Sequence, residues 1–253
     1  MPKQNFLGLY NSWAAKHNQH GRHAFQRFVM LTFLEAIEEI SSDFVFKGGN
    51  LLWHYIKTPR QTVDLDFSTL TINSHSEVSA ILEKTTNFYE DITFKVKKFV
   101  EINRDDGRGA AVVISYKAIN GQENQFPVDI VYALPTDLMK VKSTLSSREY
   151  QSASIENIIS DKVAAAHRFI SGNTRMKDFD DILRIKQSKI SVNKNKLKKL
   201  ISSREVPLEL DPNWISEDMK KSWKGHIKDH KDLPVEIGDL FIEINEWLKT
   251  LRE

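Results

Sequence analysis

The spacing of hydrophobic positions changes twice along the chain. From residue 5 to residue 41 apolar side chains recur at helical spacing and predict two helices. From residue 44 to residue 134 they fall in short runs between turn-forming residues, which predicts about five strands with helices before and between the first ones. From Ser154 onward the helical spacing returns. The pattern predicts an α+β protein, with a mixed sheet flanked by helices in residues 1–150 and an α-helical domain in residues 151–253.

Turn residues separate the predicted strands. The strands are Phe44–Lys47, Val63–Leu70, Phe94–Asn103, Ala110–Ile119 and Phe126–Leu134. The segment Arg104–Gly107 and the pair Asn120-Gly121 predict hairpin turns between the last three strands, which form a meander. Further helices are predicted over residues 74–91, 154–172, 193–203, 215–228 and 235–251, with one more beginning near Lys177.

Two aspartates one residue apart stand inside the second predicted strand. Because alternate side chains of a strand share a face, we expect Asp64 and Asp66 to lie together. Val63, Leu65 and Phe67 are then expected to face the core. Adjacent carboxylates repel unless a cation lies between them, and Mg²⁺ binds through one or two carboxylates and a substrate's phosphates. The alternative, a pair of surface aspartates, is less attractive within an apolar strand.

A pair of glycines ends the first predicted strand. Gly48 and Gly49 precede a short helix, so a phosphate can approach exposed backbone N–H groups; a tight turn is the simpler interpretation. Lys47 is either a phosphate ligand or a solvated cation. Arg60, in the loop before the aspartates, clamps a phosphate, braces a carboxylate or is a plain loop cation. We therefore expect a phosphate cradle beside half of a metal site.

Charged residues of three later segments are further candidates. Asp129 lies in the fifth predicted strand, where a surface aspartate is the alternative. Lys162 stands among small apolar residues of a helix, aimed at an anion, or else forming an i,i+4 ion pair or a snorkelling stem. Asp178, Asp180 and Asp181 also suit the acidic first turn of a helix. Helical spacing places Asp178 and Asp181 on one face and Asp180 on another.

Composition excludes several classes of site. The chain has 253 residues, of which 40% are hydrophobic and 28% charged, as in ordinary soluble proteins. Because cysteine is absent, disulfides, thiolate metal sites and a cysteine nucleophile are excluded, and a cytoplasmic location is expected. No signal peptide and no membrane association are expected, because no segment is apolar enough. The net charge of +2 does not by itself indicate nucleic-acid binding.

Several motifs occur in a fixed order. They are K-G-G-x-x-L from Lys47, R-x-T-x-D-L-D-F from Arg60, a strand aspartate at Asp129, E-N-x-x-S-D-K-x-x-A from Glu156 and K-D-F-D-D from Lys177. This order resembles the AbiEii/AbiGii toxin family of DNA polymerase β-like nucleotidyltransferases. The resemblance covers roughly residues 20–185; each motif alone is common, and the ordered set is specific. It implies a polymerase β-like catalytic core.

The resemblance also implies a site and partners. Candidate catalytic residues are Asp64, Asp66, Asp129, Lys162, Asp178 and Asp181, and candidate nucleotide-binding residues are Lys47, Gly48, Gly49, Asn50 and Arg60. Asp64, Asp66 and Asp129 are implied as ligands of Mg²⁺ or Mn²⁺, with the α-helical domain completing the active site. Asn50 replaces the Ser or Thr that such proteins often carry, and its amide still suits a phosphate. The family implies a toxin with a cognate antitoxin encoded beside it.

The hypothesis is transfer of NMP from an NTP to an acceptor hydroxyl, with pyrophosphate released. Asp129 would bind a second metal or accept the proton of the attacking hydroxyl, and Lys162 would steady the triphosphate. A basic segment favours an RNA acceptor such as a tRNA 3′ end; its cations are Arg184, Lys186, Lys189, Lys194, Lys196, Lys198, Lys199 and Arg204. The alternatives are a protein hydroxyl acceptor, a nucleotide-binding regulator with little turnover, and a phosphohydrolase or nuclease.

Overall fold

The chain forms two compact units. The computed structural model describes residues 6–104, 107–132, 137–169 and 175–253. Residues 1–54 with 59–153 form the first unit, and residues 55–58 with 154–253 form the second. Three expectations fall partly outside the described residues: the middle of the hairpin turn at 104–107, the end of the strand at Leu134 and the end of the helix at Gly172.

Seven strands and four helices begin in the described residues of the first unit. The helices are α1 (Phe6–His17), α2 (Gly21–Ile40), α3 (Gly48–Ile56) and α4 (His75–Lys84). The strands are β1 (Phe44–Lys47), β2 (Leu65–Thr69), β3 (Ile92–Arg104), β4 (Gly107–Ala118), β5 (Glu123–Val131), β6 (Leu138–Lys142) and β7 (Glu149–Ala153). The helix predicted over residues 74–91 is shorter in the structure, because α4 ends at Lys84.

The strands form one mixed sheet in the order β3-β4-β5-β2-β1-β7-β6. β1 runs antiparallel to β2 and parallel to β7, while β2 runs parallel to β5. The predicted fold class, a mixed sheet flanked by helices and followed by a helical region, is confirmed. The expected number of about five strands is wrong, because β6 and β7 are short and mostly polar and give little apolar signal.

Aromatic side chains fill the core between α2 and the sheet. Phe33 of α2 contacts Phe94 and Phe126, with ring centroids 5.0 and 5.4 Å away. Phe44 meets Phe67 edge-to-face at 5.6 Å, which joins β1 to β2. All five rings are at most 1% exposed, so together they hold the middle of the sheet rigidly behind the aspartate-bearing strands.

Val63 does not face the core. Its exposed fraction is 48%, whereas Leu65 and Phe67 are fully buried as predicted. The strand begins at Leu65 and not at Val63, so strand alternation does not extend to Val63 and Asp64. Asp64 is therefore the last residue of the loop between α3 and β2.

The second unit is helical in its described parts. Its helices are α5 (Ile155–Phe169), α6 (Met176–Ser188), α7 (Lys194–Ser203), α8 (Glu217–His226) and α9 (Ile237–Arg252). Ser154 caps α5 as predicted, because its Oγ accepts a hydrogen bond from the Asn157 N–H at 3.1 Å. Among the described residues, no helix combines the length and the apolar character that crossing a bilayer requires.

Candidate active site

The pairing of β2 with β5 brings two of the predicted carboxylates together. In the parallel register Asp66 is the partner of Asp129, between the pairs Leu65–Val128 and Phe67–Ile130. Paired strands lie about 4.8 Å apart and register partners share a face, so the two side chains emerge side by side. Both aspartates are half-buried, while their apolar strand neighbours are buried on the other face. The sheet register thus creates a concentrated negative charge at one point.

Gly48 lies directly against Asp66. A Cβ placed on Gly48 would be 1.8 Å from Asp66 Oδ2 and 2.5 Å from its Cγ. Gly48 also has φ +75°, a backbone conformation that residues with a Cβ adopt with strain. The antiparallel register of β1 with β2 pairs Lys47 with Asp66, which places the strand-to-helix turn beside the carboxylate. The glycine is therefore required at this position for two independent reasons.

Arg60 lies against the second glycine. A Cβ on Gly49 would be 2.5 Å from Arg60 Nη2 and 2.8 Å from Thr62 Oγ1. Arg60 is 8% exposed, and its carbonyl oxygen accepts a hydrogen bond from Arg27 Nη2 at 3.2 Å. Arg60 is thus not a plain loop cation, because its guanidinium is held against the start of α3.

Arg27 of α2 lies beside Arg60, and no motif in the sequence had indicated it. It is 6% exposed, and its guanidinium carbon lies 4.8 Å from the centre of the Trp53 ring. Burial, and secondarily the nearby charge of Arg60, lowers the pKa of Arg27 to about 10. Two buried guanidinium groups thus place positive charge behind the glycine turn. A lone cation within the otherwise apolar stretch of α2 was the available signal.

Asn50 is bonded to the backbone that carries Asp64. Its Nδ2 donates to the Asp64 carbonyl oxygen at 2.5 Å, and the side chain is 1% exposed. The amide therefore fixes the loop immediately before β2. Its expected contact with a phosphate stays a prediction, and the structure supplies a different bond for the same nitrogen.

The candidate residues of the second unit form a buried ion cluster. Lys162 Nζ of α5 donates to Asp178 Oδ1 at 3.1 Å and to Asp181 Oδ2 at 2.6 Å, both on α6. Arg175 Nε lies 2.9 Å from Asp178 Oδ2. Asp178 and Asp181 are 3% and 0% exposed, so the charge of Lys162 helps to compensate two buried carboxylates. The sequence grouped these three residues, and the structure brings them together.

Comparison with known proteins identifies the family of the chain. A family described as nucleotidyl transferase AbiEii toxin, type IV toxin–antitoxin system, matches residues 32–241. The chain belongs to the AbiEii nucleotidyl transferase toxin family. The predicted resemblance is thereby confirmed, and the chain is assigned to toxin nucleotidyltransferases. No curated relative matches the chain.

This AbiEii-family chain is similar to solved structures at low sequence identity. JHP933 from Helicobacter pylori has 16% identity and a TM-score of 0.54, with 90% of this chain and 92% of that one covered. An antigenic nucleotidyltransferase-like protein from Paracoccidioides brasiliensis has 13% identity and a TM-score of 0.45, with coverages of 82% and 89%. At this level of identity the likeness to JHP933 concerns the fold alone.

The donor set of the AbiEii-family site suits Mg²⁺ through two carboxylates. Asp66 and Asp129 are adjacent oxygen donors, and Mg²⁺ takes one or two carboxylates together with substrate phosphates. Asp64, on the loop, does not complete a group of three: among the described residues, the one cluster whose ligand atoms all lie within 4.8 Å of one another is in the second unit. The three-ligand set of Asp64, Asp66 and Asp129 stays a prediction, while the pair at its centre fits the ion.

Ion pairs lower the number of cations in the basic segment of the AbiEii-family chain that are available to bind RNA. Arg184 pairs with Asp180 and Asp232, Lys186 with Glu243, and Arg204 with Asp161. The exposed cations that remain include Lys189, Lys194 and Lys199, with Lys198 half-exposed. The candidate surface for an acceptor is therefore α7 with Lys189, which follows α6, and no longer the whole run of cations.

Proposed function

We propose that this AbiEii-family protein transfers NMP from an NTP to a hydroxyl of an RNA, with Mg²⁺ or Mn²⁺ held by Asp66 and Asp129 and reached by Asp64. The observation that supports the proposal is the register of β2 with β5, which sets two carboxylates side by side at a glycine turn. The metal supplies neutralisation of charge on the triphosphate. Phosphoryl transfer depends mainly on such neutralisation and on positioning.

Residues around the two glycines then have separate tasks. Backbone N–H groups at Gly48 and Gly49, at the start of α3, bind a phosphate oxygen. Arg60, held against Gly49, adds a guanidinium whose planar donors match phosphate. Lys47 supplies a further positive charge at the end of β1, and Asn50 fixes the loop of Asp64 in addition to its proposed phosphate contact.

Asp129 and Lys162 complete the proposed reaction. Asp129 accepts the proton of the attacking hydroxyl, which frees the oxygen to attack the α-phosphorus while pyrophosphate leaves. Lys162 contacts the triphosphate, and Asp178 and Asp181 fix the position of its ammonium group. These two aspartates act on the reaction through Lys162.

The acceptor is proposed to be RNA, such as the 3′ end of a tRNA. Lys194, Lys198 and Lys199 lie on α7 and bind the phosphate backbone, whereas a protein hydroxyl would give them no task. Replacing Lys194 and Lys199 with Ala should weaken tRNA binding and reduce the slope of log K against log salt by about 1 for each lost phosphate contact. An unchanged slope would remove the α7 surface from the proposal.

Labelled NTPs incubated with total tRNA test the reaction. We expect label on lengthened RNA with the native protein, and at least about 10²-fold less with Asp66→Asn or Asp129→Asn. Asp218→Asn, an exposed aspartate of α8, is the matched control and should transfer normally. Label on protein would select the protein acceptor, and shortened RNA would select a nuclease. Native label no higher than that of Asp66→Asn would indicate a nucleotide-binding regulator.

Growth provides an independent test of the toxin. Expression of the native chain should arrest growth, and Asp64→Ala should relieve the arrest if Asp64 takes part in metal binding. Coexpression of the neighbouring cognate antitoxin, which the family implies, should restore growth in the native strain. Arrest that persists with Asp64→Ala, Asp66→Asn and Asp129→Asn would separate toxicity from the proposed chemistry.

A further inference from the structure

The helical unit contains a second group of potential metal ligands. Asp180 of α6, His226 at the end of α8 and His230 after it offer ligand atoms that all lie within 4.8 Å of one another. His226 Nε2 is 2.9 Å from Asp180 Oδ2. The rings of the two histidines have their centroids 4.9 Å apart. No motif in the sequence pointed to this cluster, because Asp180 and the histidines are far apart along the chain.

We propose that Asp180, His226 and His230 bind one Zn²⁺ ion, with water as the fourth ligand. Two imidazoles and one carboxylate are a donor set that Zn²⁺ prefers, whereas Mg²⁺ selects oxygen donors. The proposal is therefore independent of the Mg²⁺ proposed for Asp66 and Asp129. All three side chains are at least partly sheltered from solvent, with Asp180 at 0% exposure.

Arg184 orients the carboxylate ligand. Its Nε lies 2.5 Å from Asp180 Oδ1 in an ion pair that lacks the alignment of a hydrogen bond, and its Nη1 donates to Asp232 Oδ2 at 2.8 Å. This contact fixes the carboxylate so that Oδ2 faces His226. Partners that hold a metal-binding carboxylate through its other oxygen are a regular part of metal sites.

Trp223 fixes the orientation of His226. The two rings stack with centroids 5.4 Å apart and planes 26° from parallel, and the buried Trp223 donates its indole N–H to the Pro234 carbonyl oxygen. His226 is thus held with Nε2 toward Asp180 before any ion binds. The bound ion would join α6 to the end of α8.

The competing interpretation is a proton in place of the ion. Protonated His226 would form a charged hydrogen bond with Asp180, and Arg184 already compensates that carboxylate. Zinc must then displace the proton, so protons should be released on binding. A proton-only cluster would take up no metal.

The test uses the full chain without a histidine tag, stripped of metal by a chelator. Calorimetric titration with ZnCl₂ should give one equivalent bound, and Co²⁺ should give the intense visible absorption of a tetrahedral site. At a hundredfold excess of Zn²⁺ over Kd the melting temperature should rise by roughly 5 °C. His230→Gln should reduce the affinity at least about tenfold.

His23→Gln is the matched control, because His23 is exposed on α2 in the other unit. It should bind Zn²⁺ as the native chain does. Circular dichroism and melting without metal check that His230→Gln is folded. No binding by the native chain, equal affinities for the two variants, or the pale spectrum of octahedral Co²⁺ would each overturn the proposal.

Discussion

Replacing Gly48 with Ala tests the contact on which the candidate active site depends. The new methyl group would lie 1.8 Å from Asp66 Oδ2, 2.5 Å from its Cγ and 2.8 Å from its Cβ. Because even the Cβ is too close, a rotation of the carboxylate cannot relieve the clash, and strand β2 or the turn must shift. Asp66 is then displaced from its partner Asp129.

The expected destabilisation has two parts. A residue with a Cβ at φ +75° is strained by about 1–2 kcal/mol, and overpacking adds about 1–3 kcal/mol. Gly21→Ala isolates the first part: Gly21 also begins a helix, has φ +79°, and nothing lies within 4 Å of its added Cβ. Gly48→Ala should therefore be less stable than Gly21→Ala by about 1–3 kcal/mol.

Urea unfolding of both variants measures this difference, and labelled-NTP transfer measures its consequence. A displacement of about 1 Å at Asp66 should reduce transfer about 10²-fold in Gly48→Ala, while Gly21→Ala should transfer at the native rate when folded. Equal unfolding free energies for the two variants would refute the contact between Gly48 and Asp66. Native transfer by Gly48→Ala, despite lower stability, would refute the role of that carboxylate.

Three further substitutions test other contacts. Lys162→Met should lower the unfolding free energy by about 3 kcal/mol, and adding Asp181→Asn should recover part of it in a double-mutant cycle followed by urea unfolding. Asn50→Ala should destabilise by about 1–3 kcal/mol through the lost bond to the Asp64 carbonyl; unchanged stability would contradict that bond. Burial raises the pKa of Glu38 from 4.5 to about 7 because the folded protein favours the neutral carboxyl. The contribution of Glu38 to the free energy of unfolding is therefore fully present below pH 4.5 and is lost as the pH rises through 7. Glu38→Gln should gain stability over the native chain between pH 5 and 8, by about 1 kcal/mol because half of the group is solvated; parallel pH–melting curves would contradict this.

The order of helices and strands was largely predictable because it is recorded in local spacing. Apolar residues around Phe33 recur every three to four positions, and only a helix places residues with this spacing on one buried face. The turn at Asn120-Gly121 and the cap at Ser154 depend on neighbouring residues alone. The short strands β6 and β7 were missed because their pairing with each other and with β1 forms them, and no local apolar signal does.

The residue types along the chain establish which chemical groups are present: two aspartates beside a glycine pair, a third strand aspartate, and Lys162 with acidic partners. Which of these groups meet depends on the folded arrangement. It paired Asp66 with Asp129 across parallel strands, and placed Asp64 in the loop before its strand. The fold also buries Arg184 in an ion pair with Asp180, and it places Asp180 beside two histidines that are distant in the sequence. Distances between residues far apart in the chain depend on register and packing, which no local pattern specifies.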